Sequence, residues 1–268
     1  IESGVEGLYV CGSTGEGMSL SSEERRRVAE AYVSATNGRV PVIVQVGHNS
    51  LEEAALLAQH AQEIGADMVS ATCPSYFQVT NADTLVDCMV EIASAAPELP
   101  FYYYHIPLLT GSKLDMVQFL ELAAPRIANL RGLKFTSPNL HEFQECLGYA
   151  NGQFDVVWGT DEMLLAALAT GARGAIGSTY NIMAPLYRRI IDAFEQGQLE
   201  EAQQLQSHAW KIIKAIGRYP FHSAMKQILT WSGFPCGACR LPQQPLTPEQ
   251  VTSLREELQS IQFFEIAS

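Results

Sequence analysis

The feature that most constrains this chain is a repeat: a short apolar run, a polar turn, then ten to eighteen residues with helical periodicity. Strand-like runs occupy 7–11, 40–46, 67–73, 100–105, 132–136, 154–158 and 174–178, and helix-like stretches lie between them at 22–36, 51–64, 82–96, 114–122 and 139–149. Alternation of this kind indicates parallel strands joined by crossover helices. Its spacing, roughly thirty residues per unit, is what a (β/α)8 barrel uses. Seven runs fall one short of closure, residues 1–5 read as the tail of a helix, and the first residue is Ile1 rather than Met. The expectation is therefore an α/β chain, a (β/α)8 TIM barrel lacking its first strand, with an upstream segment missing. A doubly wound sheet would alternate in the same way. It would also carry a Gly-rich dinucleotide turn with an acid about twenty residues on, which this chain lacks.

Beyond the last run, helical patterns at 186–196, 199–216, 223–230 and 248–261 are too many for one crossover, so a C-terminal helical extension is expected to pack on the barrel. The segment 234–248, with four prolines and a glycine, reads as a loop. The expected organisation is one domain, 1–185 holding strands two to eight and 186–268 the last barrel helix and the C-terminal helices. A net charge of -12 repels polyanions, which argues against nucleic acid or an anionic membrane as partner. No apolar stretch reaches the roughly 20 residues of a membrane helix, and no signal-peptide layout opens the chain, so a cytoplasmic location is expected. The six cysteines, Cys11, Cys73, Cys88, Cys146, Cys236 and Cys239, are scattered through apolar segments as reduced thiols would be.

Working groups of such a barrel sit at the C-terminal ends of its strands. Of five lysines, Lys113, Lys211, Lys214 and Lys226 fall in loops or amphipathic helices, whereas Lys134 lies within a strand run, Gly132-Leu133-Lys134-Phe135-Thr136. An ammonium inside a barrel is poorly solvated, its neutral form is favoured, and a neutral amine attacks a carbonyl carbon to give a Schiff base. A lysine snorkelling from a strand end or paired with a carboxylate fits the same pattern. In Phe101-Tyr102-Tyr103-Tyr104-His105-Ile106-Pro107, Tyr102 and Tyr103 read as core, while Tyr104 at the strand end suits proton transfer beside an imine. His105 reads as a satisfied structural histidine. Gly12-Ser13-Thr14-Gly15-Glu16 offers N–H groups and two hydroxyls to a carboxylate, or serves only as a turn before a helix capped by Ser21 or Ser22. The junctions at Gly159-Thr160-Asp161-Glu162, Gly177-Ser178-Thr179 and Pro74-Ser75-Tyr76 suit a polyhydroxylated substrate; Asp161 and Glu162 equally suit helix capping. Cys236-x-x-Cys239 has no second Cys or His pair, and no His-Glu-x-x-His stretch occurs, so neither metal nor other cofactor is expected.

On Gly12-Ser-Thr-Gly-Glu16, Tyr104-x-Ile-Pro107, Gly132-Leu-Lys134 and the glycine junctions near 159 and 177, the whole chain resembles the pyruvate-dependent class I aldolases of the N-acetylneuraminate lyase and dihydrodipicolinate synthase family. Phe101-Tyr-Tyr-Tyr-His-Ile-Pro107 and Gly177-Ser-Thr-Tyr-Asn181 are most similar to its animal lyases. The resemblance implies a cofactor-free lyase that cleaves N-acetylneuraminate reversibly to N-acetylmannosamine and pyruvate, working as a homotetramer. It implies Lys134 as the Schiff-base lysine, Tyr104 as proton carrier, and Ser13 and Thr14 on the pyruvate carboxylate. Ser13 would link Tyr104 to Tyr76 of a neighbouring subunit. Thr136, Gly159, Asp161, Glu162 and Ser178 would contact the sugar-derived part, with Ile176 beside the pyruvate. Synthases that handle a dicarboxylate carry an arginine where this chain has Leu109, so a glycerol-like tail is the better match. A sibling aldolase for another 2-keto-3-deoxy acid, or a truncated relative that binds a keto acid without turnover, are the alternatives.

Overall fold

In the computed structural model, which describes residues 1–266, the chain divides into two compact units. Residues 267 and 268 of the expected helical region 186–268 lie outside the described residues. The first unit, Glu6–Thr160 with Ala169–Ile176, is the strand–helix repeat. Its elements run β1 (Leu8–Val10), α1 (Ser22–Thr36), β2 (Val42–Gln45), α2 (Leu51–Glu63), β3 (Met68–Ala71), α3 (Ala82–Ser94), β4 (Phe101–His105), α4 (Pro107–Thr110), α5 (Met116–Ala123), β5 (Leu130–Phe135), α6 (Leu140–Gly148) and β6 (Asp155–Trp158). The six strands form one sheet in sequential order, every neighbour parallel. Crossover helices cover a sheet of this kind, which is why its strands are apolar runs rather than alternating ones.

The helices begin where their side chains supply a missing partner. Ser21, Ser50, Asn81 and Asp115 each accept a hydrogen bond from the backbone N–H three residues on, satisfying one of the orphan donors of α1, α2, α3 and α5. In α1 the Glu24 carboxylate returns the bond to the Ser21 N–H, completing a capping box. Arg25, 2% exposed, ties α1 to the end of β2 through Nη1 to the Gly47 carbonyl (2.9 Å) and Nη2 to the Gln45 carbonyl and amide oxygens (2.6 and 2.7 Å). Phe135, Phe143 and Trp158 stack between β5, β6 and α6, all fully buried.

Two expectations need correction. The run 174–178 is not a seventh strand: it makes a single parallel bridge, Ala175 to Trp158, with Trp158 N–H on the Gly174 carbonyl (3.0 Å) and Ile176 N–H on the Trp158 carbonyl (2.8 Å). Among the described residues β6 alone pairs with this run, and only at Ala175. Residues 1–5 form a turn closed by Gly4 N–H on the Ile1 carbonyl, not the end of a helix, with Gly4 at φ +89°.

The second unit holds Ile1–Val5, Asp161–Leu168 and Gly177 to the end of the described chain. It contains most of α7 (Leu164–Thr170), then α8 (Tyr180–Glu195), α9 (Leu199–Ile216), α10 (Phe221–Trp231), α11 (Pro248–Ser260) and α12 (Phe263–Ile266). Helix α8 kinks at Met183 (φ -150°), two residues before Pro185, whose ring denies the regular helix its preceding turn. Thr247 and Gln250 form the capping box of α11. The loop between α10 and α11 carries Cys236, exposed, and Cys239, half-buried, both free thiols. No helix among the described residues is long and apolar enough to cross a membrane.

Candidate active site

The first unit brings four of the expected site residues into contact. Lys134, 5% exposed, lies on β5 opposite Tyr104 on β4 in the parallel register. That pairing sets Nζ 3.6 Å from the centroid of the Tyr104 ring. Nζ also donates to Thr136 Oγ1 at 3.2 Å. The Tyr104 hydroxyl in turn stands 3.4 Å from Ser13 Oγ, in the Gly-rich turn after β1. Lysine, phenol and serine thus form a chain drawn from three strand ends, with Nζ held over the aromatic face.

The turn that presents Ser13 and Thr14 is held in an unusual backbone. Cys11 (φ 58°) and Glu16 (φ 55°) both occupy the left-handed region, and Gly17 N–H closes the loop on the Gly12 carbonyl at 3.1 Å. Such residues cost about 1–3 kcal/mol each and persist where the surroundings over-determine them. Thr136 and Gly159 continue the ladder past the strand ends, Thr136 N–H on the His105 carbonyl and Gly159 N–H on the Phe135 carbonyl, each at 2.8 Å. Thr136 is also a wall of a cleft of about 570 Å³ that His105, Pro107, Lys113 and Glu142 help to line.

One participant went unread in the sequence. Tyr9 of β1 packs edge-on against Tyr104, centroids 5.7 Å apart, its own ring 5.2 Å from Lys134 Nζ, and its hydroxyl donates to Ser70 Oγ at 3.0 Å. Burial, then the neighbouring Tyr104, pushes the Tyr9 phenol well above its ordinary range, so it stays protonated and structural. An aromatic in a three-residue strand carries no signal that separates it from core.

Tyr76 is 81% exposed, its ring edge-on to Phe77. The loop beneath is tied down by Asn49, whose Oδ1 accepts from the Ser75 and Tyr76 N–H groups at 2.9 and 3.1 Å. Tyr102 and Tyr103 are core, as expected; the Tyr102 hydroxyl donates to Asp155 at 2.9 Å. His105 is buried but not satisfied: its Nδ1 has no partner, and burial holds its pKa down at about 4. The expectation of a satisfied histidine is corrected accordingly.

In the second unit Asp161, 7% exposed, opens a 3-10 turn, Asp161–Met163, that leads into α7. Its Oδ2 accepts from Thr179 N (2.8 Å) and Thr179 Oγ1 (2.6 Å), and Thr179 Oγ1 lies 2.6 Å from the Tyr187 hydroxyl. Gly177 is required for this approach, because a Cβ there would stand 1.6 Å from Asp161 Oδ1. The carboxylate thus fixes the turn that carries Ser178, while Glu162 is exposed.

Against this geometry, residues 1–261 match the model of the dihydrodipicolinate synthetase family. The rat and human N-acetylneuraminate lyases are each 41% identical over 266 residues, 98% of this chain and 83% of theirs. The chain belongs to this family. Among solved structures, N-acetylneuraminate lyase of Proteus mirabilis superposes with TM-score 0.95 at 38% identity, covering 98% of this chain and 88% of that one. The sialic acid aldolase of Aliivibrio salmonicida gives 0.94 at 39%, over 97% and 87%. Family membership at this identity makes the Lys134–Tyr104–Ser13 contact a candidate for the chemistry, since no other lysine of the chain lies on a strand.

Proposed function

We propose that this protein is a class I aldolase that cleaves open-chain N-acetylneuraminate reversibly to N-acetylmannosamine and pyruvate. The observation that carries the reading is the buried Lys134 Nζ against the Tyr104 ring, with Ser13 on the phenol. Lys134 attacks the keto carbon, and loss of water gives a protonated imine. Tyr104 removes the proton from the carbon 4 hydroxyl; the bond between carbons 3 and 4 breaks and its electrons flow into the imine, leaving an enamine. Protonation at carbon 3 and hydrolysis release pyruvate and return the amine. In this proposal Ser13 and Thr14 hold the pyruvate carboxylate, with Ile176 beside it. Thr136, Gly159, Asp161, Glu162 and Ser178 contact the sugar-derived part. Tyr76, exposed in the single chain, serves the site of a neighbouring subunit in a homotetramer. The scaffold proposed is a (β/α)8 barrel with C-terminal helices, supported by six parallel strands in sequential order and the bridge at Ala175. A cytoplasmic enzyme without metal or other cofactor completes the proposal. Leu109, 60% exposed, is uncharged, which favours a polyol tail over a second carboxylate at that position.

Borohydride reduction in the presence of pyruvate tests it. A reduced adduct should map to the peptide containing Lys134 and vanish in Lys134→Ala, and N-acetylneuraminate should be cleaved faster than other 2-keto-3-deoxy acids. An adduct that survives Lys134→Ala would sink the assignment of the lysine; preference for another keto acid would make the protein a sibling aldolase.

A further inference from the structure

We infer that Gln206 is a positioning residue for the sugar end of the site, acting from α9 on the backbone that carries Asp161 and Glu162. The inference rests on the functional reading above. One side-chain amide makes three hydrogen bonds to this single segment. Its Oε1 accepts from Leu165 N–H at 2.9 Å, and its Nε2 donates to the carbonyls of Asp161 at 3.3 Å and Glu162 at 3.2 Å. Leu165 N–H is one of the first donors of α7, which no residue within that helix can satisfy. Gln206 therefore caps α7 from more than forty residues away, with both ends of its amide engaged.

The consequence differs for the two acids. Asp161 is held twice, by Gln206 at its carbonyl and by Thr179 at its carboxylate. Glu162 is exposed, and its backbone is fixed through Gln206, so the direction in which its carboxylate leaves the turn depends on that one amide. Gln203, one turn earlier on α9, lines the same small pocket of about 320 Å³ with Glu162, Leu165 and Trp210 and makes no hydrogen bond to 161–165. It is the natural control.

The test is steady-state cleavage of N-acetylneuraminate together with pyruvate trapping, on the full chain and on Gln206→Met, Gln206→Glu and Gln203→Met. Met removes all three bonds at similar volume; Glu keeps an acceptor for Leu165 and sets an oxygen against two carbonyls. Both Gln206 variants should raise KM about tenfold, with kcat within about twofold and the pyruvate adduct still formed, and Gln203→Met should match the parent. Unchanged KM in both Gln206 variants overturns the inference. So does joint loss of adduct, cleavage and cooperative unfolding in both, which would make Gln206 a support of the fold in general. Failure of the unmodified protein to trap pyruvate or cleave the sugar acid refutes the aldolase reading instead, a result no Gln206 variant produces.

Discussion

His105 shows how one side chain can be placed correctly and still surprise. Its ring packs on Phe135, centroids 5.1 Å apart, where a second aromatic would serve as well, yet it leaves Nδ1 buried and unpaired. Burial lowers its pKa from 6.5 to about 4, so the folded protein resists a proton that the unfolded chain accepts. The stability at stake is fully present above the unfolded value and is lost as pH falls through 6.5 toward 4, roughly 3 kcal/mol in all. Urea unfolding at pH 7 and pH 4.5 should show this loss, and His105→Phe should flatten it while keeping the ring contact. An unchanged pH slope in the variant would assign the acid sensitivity elsewhere. Lys134 is the contrasting case: its strand context alone singled it out among five lysines, and the structure buries it against Tyr104.

Strands β5 and β6 leave no room for a side chain at Gly132, paired with Asp155, where a Cβ would stand 1.7 Å from the Asp155 carbonyl oxygen. The contact is with backbone, so neither strand can yield without breaking the ladder two residues before Lys134. Gly132→Ala is expected to cost about 3 kcal/mol, the upper part of the overpacking range, and to reduce pyruvate trapping in the protein that remains folded. Thermal unfolding and adduct yield measured together check this; a neutral effect on both would mean that the strands shift freely. The helix boundaries at this level follow from local chemistry. Ser22, Leu51, Ala82 and Pro248 open helices where the sequence places them, because each is preceded by a Ser, Asn or Thr that caps. The short helices α4, α7 and α12 escaped notice, being one or two turns long and held by tertiary partners such as Gln206.

Tyr76 and Phe77, 81% and 82% exposed, form an aromatic pair that a single chain leaves in water. If Tyr76 completes the proton path of a neighbouring subunit, Tyr76→Phe should lower kcat by about 10²-fold, the lower bound for a positioned proton carrier. Mixed assemblies of Tyr76→Phe with Lys134→Ala should then regain cleavage, because each supplies what the other lacks. Light scattering on the parent should report an assembly larger than one chain of 29.4 kDa. A monomer with full activity, or mixtures as inactive as their components, would confine the site to one chain.

The order of the six strands and of the longer helices, the cap of α1 at Ser21, the Lys134, Tyr104 and Ser13 candidates and the core residues Tyr102 and Tyr103 were legible along the chain, because periodicity, capping and a charged residue inside an apolar run are local signals. The contacts that build the candidate site were not. Tyr9 against Tyr104, Thr179 on Asp161, Tyr187 on Thr179, and Gln206 on the 161–165 segment join residues 8 to 95 positions apart, and no local pattern encodes which of several equivalent side chains will meet. Nor did local pattern separate a strand from a single bridge at 174–178, since the register and length of pairing with β6 are set in the folded sheet rather than by the propensity of the segment. Those outcomes rest on packing, which only the folded chain sets.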